Sequence, residues 1–229
     1  MITCMILAGG VGSRMNLGYP KQFVMIDGKP LIIHTIENFL NNKQIERYLI
    51  VCEPNWIGKL NEILFNYGLD DVMVVPGGKT SHESIRNGIF YLESVLEESD
   101  FLIIHDAARP IVPDDILDDL IETAKKYGNA CSSLPFYEPV MKTDNGKYGT
   151  VCISRDELVR TGAPQMFNYG LILSVYKKAE SDNKHDFVYA SVVASYYGEK
   201  IYFSKGSTIN IKITNPEDMV LFKSIKANL

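Results

Sequence analysis

Short apolar runs alternate with longer segments of helical periodicity along most of the chain. Runs of strand length occur at residues 3–8, 47–52, 72–76, 101–105 and 130–135. Between them, apolar positions recur every three or four residues at 30–40, 55–67, 81–96 and 113–127. Repeated alternation of strand and helix is typical of a mostly parallel sheet with helices on both faces. The pattern therefore predicts an open α/β fold.

The rhythm changes after residue 135. Segment 136–160 has short extended runs on either side of Asp144-Asn145-Gly146-Lys147, a sequence typical of a tight hairpin turn. We interpret it as a β-arm that protrudes from the sheet. Helices are then predicted at 169–179, at 187–197 and from 216 to the end, and strands at 200–204 and 210–214. Because linkers and repeats are lacking, we predict a single domain over 1–229 with the arm, 136–160, inserted.

Composition narrows the range of partners. The 229 residues are 46% hydrophobic and 22% charged, with a formal net charge of −5, which suits one globular core and argues against a nucleic-acid or anionic-membrane surface. No apolar stretch approaches the ~20 residues that cross a bilayer, and no basic leader precedes the first apolar run. We expect a cytoplasmic protein with neither nucleic acid nor membrane as a partner.

The chain has four cysteines and four histidines, and neither set shows the close paired spacing of a local metal site. The cysteines, which we expect to be buried free thiols, are Cys4, Cys52, Cys131 and Cys152. The histidines are His34, His82, His105 and His185. The sequence thus predicts no structural zinc site.

A glycine-rich segment follows the first predicted strand. It reads Ala8-Gly9-Gly10-Val11-Gly12-Ser13-Arg14 and is followed by Pro20-Lys21-Gln22. Small residues let backbone N–H groups approach a polyphosphate, and Arg14 and Lys21 add positive charge. We interpret the segment as a phosphate-binding loop; the alternative is an ordinary glycine-rich turn.

Two other phosphate-binding motifs do not fit. The dinucleotide fingerprint needs a third glycine where Met15 stands, which makes a nicotinamide enzyme a weak alternative. The tripeptide Gly78-Lys79-Thr80 lacks the earlier glycine of a P-loop, because Met73 occupies that position.

A second candidate site is His105-Asp106-Ala107-Ala108-Arg109-Pro110, at the end of the run 101–105. In open α/β sheets, ligands bind beyond the carboxyl ends of the strands, where Asp106 and Arg109 are expected to project. A carboxylate there can hold Mg²⁺, directly or through water, or bond a ribose. The alternatives are a local ion pair between Asp106 and Arg109 and a core position for His105.

Six spaced motifs together resemble one enzyme family. The chain is similar, over its whole length, to the methylerythritol phosphate cytidylyltransferases and the related ribitol 5-phosphate cytidylyltransferases. The motifs are Leu7 to Arg14, Pro20-Lys21-Gln22, Gly77-Gly78 with Ser84, His105 to Pro110, Pro164-Gln165-Met166-Phe167, and Asn210-Ile211-Lys212-Ile213-Thr214 with Pro216-Glu217-Asp218.

The resemblance implies a Rossmann-like nucleotidyltransferase whose β-arm clasps a second subunit in a homodimer. It implies CTP and a polyol phosphate as substrates, pyrophosphate as a product, and Mg²⁺ or another divalent cation as cofactor. The implied nucleotide-binding residues are Ala8, Gly9, Gly10, Gly12, Gly77, Gly78, Ser84, Asp106 and Ala107. Catalytic cations would be Arg14, Lys21 and Lys212. Arg155 and Arg109 would bind the acceptor, and Asp106 the metal.

The sequence leaves open which polyol phosphate is the acceptor, and two other classes of protein are alternatives. Residues 6–10 and 33–37 look more like the ribitol branch, which would serve surface-polymer synthesis; methylerythritol phosphate and isoprenoid biosynthesis are the alternative. A catalytically silent CTP-binding relative is disfavoured because the charged group Arg14, Lys21, Asp106 and Lys212 is intact. A metal-dependent glycosyltransferase would ordinarily carry an Asp-x-Asp motif at a strand end, which neither Asp70-Asp71 nor Asp114-Asp115 resembles.

Overall fold

The structure, a computed structural model, describes residues 1–10 and 18–229. Its strands are β1 (Ile2–Ala8), β2 (Met25–Ile26), β3 (Lys29–Pro30), β4 (Arg47–Cys52), β5 (Met73–Pro76), β6 (Phe101–Asp106), β7 (Asn129–Pro135), β8 (Val140–Lys142), β9 (Val151–Ile153), β10 (Val159–Asn168) and β11 (Phe203–Lys205). Its helices are α1 (Leu31–Leu40), α2 (Ile57–Asn66), α3 (Ser81–Tyr91), α4 (Asp114–Tyr127), α5 (Tyr169–Ser181), α6 (Ala190–Tyr196) and α7 (Pro216–Lys226).

The central sheet has seven strands in the order β11-β7-β10-β6-β1-β4-β5. Strand β1 pairs in parallel with β4 and β6, β4 with β5, and β7 with β11. Strand β10 runs antiparallel to both β6 and β7. The prediction of a mostly parallel sheet is confirmed, and β10 is its reversed member.

Helices cover both faces of the sheet, as the strand patterns predicted. Successive side chains of β1 point to opposite faces, so that Cys4 and Ile6 join one core and Met5 the other. The first core packs against α1, α2 and α4, and the second against α3, α5 and α6. A third cluster, with Phe222 and Ile213 at its centre, holds α7 beside α1. Strand β1 is therefore covered on both faces by helices.

One predicted segment is wrong, and a second is shorter than predicted. Residues 210–214, predicted as a strand, are irregular. They do not pair as a strand in the sheet: Ile213 N–H donates to the Ala108 carbonyl in a loop (2.8 Å), and the Asn210 side-chain amide donates to the Ala163 carbonyl in β10 (2.7 Å). The helix predicted at 187–197 is shorter, because α6 begins only at Ala190.

Strand β10 continues beyond residue 160, over a stretch where the sequence pattern predicted no strand. The sequence pattern ended the arm at residue 160, whereas 159 and 160 already pair with β7. Gly162 and Pro164 interrupt the apolar pattern, and the register with β7 shifts between Thr161 and Gln165. Such residues weaken the strand signal and often mark a bulge.

The remainder of the arm is a hairpin. Strands β8 and β9 form a two-stranded antiparallel sheet of their own, with Val140 opposite Ile153. Gly146, in the predicted turn, has a φ of 71°, a conformation that glycine adopts readily.

Burial of the cysteines follows the prediction at Cys4, Cys52 and Cys131. The prediction is wrong for Cys152, which is exposed because it lies on the arm hairpin and outside the core. Within residues 1–10 and 18–229, no helix is long and apolar enough to cross a membrane.

Gly88 allows α3 to pack closely on the sheet, and its replacement by alanine tests this contact. A Cβ atom there would lie 2.2 Å from Met5 Sδ and 2.9 Å from Val51 Cγ2. We expect Gly88→Ala to lower the free energy of unfolding by about 1–3 kcal/mol through overpacking. The control is Gly58→Ala in α2, where a Cβ meets open space and a gain of up to about 1 kcal/mol is expected. Equal urea midpoints for the two variants would contradict the close packing.

Candidate functional site

A cavity of about 820 Å³ opens at the carboxyl ends of the parallel strands. Gly9 and Gly10 follow β1, Gly77 and Gly78 follow β5, and Asp106 ends β6; all of them line this cavity. In open α/β sheets this edge is where ligands bind. We call it the main cavity.

Backbone forms much of one wall of the main cavity. A Cβ atom on Gly9 would lie 3.2 Å from Ser84 Oγ, and one on Gly77 would lie 3.0 Å from the same oxygen. Ser84 Oγ accepts a hydrogen bond from Gly78 N–H (3.1 Å) and donates one to the Thr80 carbonyl (2.9 Å). Ser84 thus packs between two glycine segments, and a side chain on Gly9 or Gly77 would crowd its hydroxyl.

Asp106 lies between two cationic side chains. Its Oδ2 is 3.0 Å from Lys212 Nζ and 3.3 Å from Arg109 Nε. Burial by itself would raise the pKa of Asp106, but the charges of Lys212 and Arg109 hold it below its ordinary value. Asp106 is therefore an anion at neutral pH, as a magnesium ligand must be. The local ion pair with Arg109 and a role at the site are both compatible with this geometry.

Lys21 lines the same cavity. Its side chain is buried and its Nζ donates to the Ile213 carbonyl (2.6 Å). The neighbouring Gln22 side chain donates to the Ala8 carbonyl (2.6 Å). The turn Lys21–Phe23 therefore connects the end of β1 to the irregular segment that carries Lys212.

A second cavity of about 340 Å³ adjoins the first. Ala163 and Lys212 line both of them. The second cavity also contains Arg109 and Arg160 together with hydroxyl-bearing side chains. Arg109 is held there by a hydrogen bond from Nη1 to the Asn210 carbonyl (2.8 Å).

The structure brings most of the sequence-derived candidates together. Those that line the main cavity are Gly9, Gly10, Lys21, Gly77, Gly78, Ser84, Asp106, Ala107 and Lys212. Ala8 is buried beside it, and Arg109 faces the second cavity. Gly12 and Arg14 lie outside the described residues. Arg155 lines neither cavity: it lies on the arm, with Nη1 donating to the Tyr137 carbonyl (3.1 Å).

His105 is a core residue, as one reading of its motif proposed. It is fully buried, and burial lowers its pKa to about 4. Its Nε2 lies 3.0 Å from the Arg109 carbonyl, which fixes the turn that carries Arg109.

Several residues of the site were missed as individual candidates. Gln165 and Asn210 are buried polar side chains that bond to backbone, Gln165 by accepting from Ser191 N–H (3.0 Å). Both stand inside the motifs used for the resemblance, so a polar residue within a strand or loop motif was the available signal. Arg86 and Arg160, which line the main and second cavities, had no local pattern to distinguish them.

A mostly parallel sheet with a cleft at its carboxyl edge, lined by glycine backbone, cations and a carboxylate, has the features expected of an enzyme that binds a nucleotide polyphosphate. The family model described as IspD, 2-C-methyl-D-erythritol 4-phosphate cytidylyltransferase, matches residues 2–227. The chain belongs to this cytidylyltransferase family, which confirms the resemblance.

Relatives in the family carry two names. A ribitol-5-phosphate cytidylyltransferase of Lacticaseibacillus paracasei is 37% identical over 98% of this chain and 97% of its own length. A 2-C-methyl-D-erythritol 4-phosphate cytidylyltransferase of Clostridium novyi is 36% identical, over 98% and 96%. Among solved structures, 4-diphosphocytidyl-2C-methyl-D-erythritol synthase of Anaerococcus prevotii superposes with a TM-score of 0.83 at 21% identity, over 99% of this chain and 98% of that one, which shows the same fold.

Replacing Asp106 by asparagine should change the acid response of the fold. Because its pKa in the folded state is lowered, the ionised carboxylate stabilises the protein above the unfolded-state pKa of about 3.9, and this stabilisation is lost as the pH falls further. At pH 7 we expect Asp106→Asn to cost about 1–3 kcal/mol, since two cations lose their counter-charge. Denaturant unfolding should show this difference shrinking towards pH 3.

The exposed arm residue Asp144 provides the control. Asp144→Asn should change the unfolding free energy little at either pH. A constant difference between wild type and Asp106→Asn from pH 7 to pH 3 would refute the charge assignment.

Proposed function

We propose that this protein transfers CMP from CTP to ribitol 5-phosphate and releases pyrophosphate. The observation that carries the proposal is the adjacency of two cavities that share Lys212, one with backbone glycine walls and one with cations and hydroxyl groups. A nucleotide and a phosphorylated polyol could each occupy one cavity with their phosphates meeting at Lys212.

In this proposal CTP occupies the main cavity. The segments around Gly9–Gly10 and Gly77–Gly78 line this cavity and carry no side chain that would keep the nucleotide away from the backbone. The triphosphate would extend towards Lys21 and Lys212, and from the sequence resemblance towards Arg14. Gly12 would complete the loop that begins at Ala8.

The reaction joins two anions. A phosphate oxygen of the acceptor attacks the α-phosphorus of CTP, the bond from that phosphorus to the bridging oxygen breaks, and pyrophosphate leaves with the bond's electrons. Lys21 and Lys212 reduce the repulsion between the reactants and stabilise the charge that develops on the oxygens. No general base is needed, because the attacking phosphate is already ionised at neutral pH.

Asp106 fits a divalent cation, which we propose to be Mg²⁺. Its carboxylate is ionised and faces the main cavity, and oxygen ligands of this kind suit Mg²⁺ directly or through water. When bound, the cation would neutralise charge on the nucleotide phosphates. Asp106 would then contact the cation as well as Lys212 and Arg109. Together with Ala107 it would lie beside the ribose.

The second cavity suits a polyol phosphate. Arg109 and Arg160 provide positive charge for the acceptor phosphate. Hydroxyl and amide side chains that can bond a polyol line the same cavity: Ser132, Ser133, Thr161, Ser207, Thr208 and Asn210. Ribitol carries a hydroxyl on each of its other carbons, whereas methylerythritol has a methyl branch. The relative from Clostridium novyi keeps methylerythritol 4-phosphate as the second candidate.

We also propose a homodimer in which the arm of one subunit completes the site of the other. Support comes from exposed apolar residues along the arm, including Tyr137, Met141, Tyr148 and Val151. Patches of this kind often mark protein interfaces. Arg155 would reach the acceptor phosphate in the partner, which accounts for its absence from both cavities of its own chain. A cytoplasmic location stays a prediction.

Pyrophosphate release measured with a matrix of substrates tests the reaction. The protein, with Mg²⁺, is given CTP, ATP, GTP or UTP, each with ribitol 5-phosphate, methylerythritol 4-phosphate or glycerol 3-phosphate. We expect release with CTP and ribitol 5-phosphate. Release with CTP and methylerythritol 4-phosphate alone would refute the acceptor. A protein that binds CTP yet is silent with every acceptor would refute catalysis.

Co-expression of two impaired variants, assayed at an acceptor concentration far below the KM of the Arg155→Gln variant, tests the shared site. Lys212→Gln should lower kcat/KM by roughly two to four powers of ten, because it removes a cation from the transferred phosphate. Arg155→Gln should raise the KM for the acceptor without changing CTP binding. When the two variants are co-expressed in equal amounts, about half of the randomly formed dimers contain one subunit of each kind. One of the two sites in such a dimer has both wild-type residues, so about a quarter of all sites are intact.

The expected result is recovery of activity to about a quarter of the wild-type value in the mixed preparation. Lys223→Gln, an exposed lysine of α7, serves as the control and should be fully active. A mixture that is no more active than its components would show that Arg155 does not act across a dimer.

A further inference from the structure

Three potential metal ligands converge behind the wall of the main cavity. They are His82 in α3, Glu180 in α5 and His185 in the segment that follows α5. One ligating atom from each lies within 4.8 Å of the other two. Glu180 Oε1 is 3.1 Å from His185 Nδ1 and 4.0 Å from His82 Nε2.

His82 is an unusual core residue. It is fully buried, and neither ring nitrogen has a hydrogen-bond partner within the described part of the chain. Leaving a buried polar group unpaired costs about 1–3 kcal/mol, so such groups usually have a partner. Its ring stacks on Tyr176, with centroids 5.0 Å apart, and Phe187 lies beside it.

The histidine that follows α5 also has an unpaired ring nitrogen within the described part of the chain. His185 Nδ1 has no hydrogen bond either, although it lies close to Glu180, because the geometry of that contact does not suit one. Both imidazoles therefore retain a free nitrogen directed into the cluster.

Glu180 has a second partner. Arg86 Nη1 lies 3.2 Å from Oε1 and 3.1 Å from Oε2 of Glu180. A carboxylate has about four lone-pair positions, so one guanidinium contact leaves room for another ligand bond. Arg86 orients Glu180, which is the role that outer-shell partners have at metal centres.

We propose that His82, Glu180 and His185 bind a divalent transition-metal ion of the zinc class. Two imidazoles and one carboxylate form a nitrogen and oxygen ligand set that Zn²⁺ accepts, with water in the fourth position. Ligand atoms around a tetrahedral zinc lie about 3.3 Å apart, given bonds of about 2.0 Å. The 3.1 Å contact already meets that spacing, and the 4.0 Å contact requires a modest side-chain rotation.

The position of this site gives the ion a structural effect on the main cavity. Ser81 and Glu83, on either side of His82, line the cavity, as do Val188 and Tyr189 a few residues after His185. A metal bound by His82 and His185 would tie together these two parts of the wall. The site is distinct from Asp106 and does not depend on the proposed reaction.

Titration of the chelator-treated, full-length protein with ZnCl₂ tests the proposal. Calorimetry should show one ion per chain at this site. His185→Asn and Glu180→Gln should each weaken that binding by more than about ten-fold, the lower range for loss of even an outer-shell partner. His82 is left in place, since replacing a wholly buried ring disturbs the core. Zinc should also raise Tm in the wild type and not in His185→Asn.

Two controls separate this site from other metal binding. Glu122→Gln, an exposed acid on α4, and Asp106→Asn should both keep the affinity of the wild type. X-ray absorption at the zinc edge should show nitrogen and oxygen ligands at about 2.0 Å and no sulfur at about 2.3 Å, which excludes the exposed Cys152. Wild-type affinity in His185→Asn or Glu180→Gln, a sulfur shell, or no binding at all would overturn the proposal.

Discussion

The ionised carboxylate of Asp106 is the contact on which the arrangement of the site depends. Lys212 Nζ and Arg109 Nε both contact Oδ2 of Asp106. Lys212 belongs to the irregular segment 210–214, and Arg109 bonds to this segment at the Asn210 carbonyl. Without that negative charge, the partly buried Arg109 and the more exposed Lys212 would lose the anion they share. The carboxylate therefore fixes the end of β6, the turn after it and the segment that carries Lys212. Lys21 also holds this segment, by donating a hydrogen bond to the Ile213 carbonyl.

The same arrangement explains how two substrates with like charge could meet. Lys212 lines both cavities, so its charge is available to a phosphate on either side. Asp106 pairs with that charge through its contact with Lys212 Nζ.

Periodicity in the sequence predicted the sheet, its helices and the arm, because each central strand is a continuous apolar run. It failed where polar groups bond outside the regular ladder. The segment 210–214 alternates like a strand, yet its backbone bonds to loops, and β10 is interrupted by Gly162 and Pro164. At the site, Gly9, Gly10 and Asp106 were predictable because they stand at strand ends, whereas Ser84 and Lys212 were implied only by the family resemblance. Arg160, and the convergence of His82 with His185, depend on how distant elements pack, which local spacing does not encode.

The glycine walls of the main cavity have a consequence for how such an enzyme can change over time. Main-chain groups hold a ligand without reference to side-chain identity, and at Gly9, Gly77 and Gly78 any side chain meets a close neighbour. That half of the molecule has little freedom to vary. The second cavity is built from side chains that can be exchanged one at a time. A lineage with this architecture would be expected to keep its nucleotide and to diversify its acceptor, and relatives named for ribitol and for methylerythritol fit that expectation.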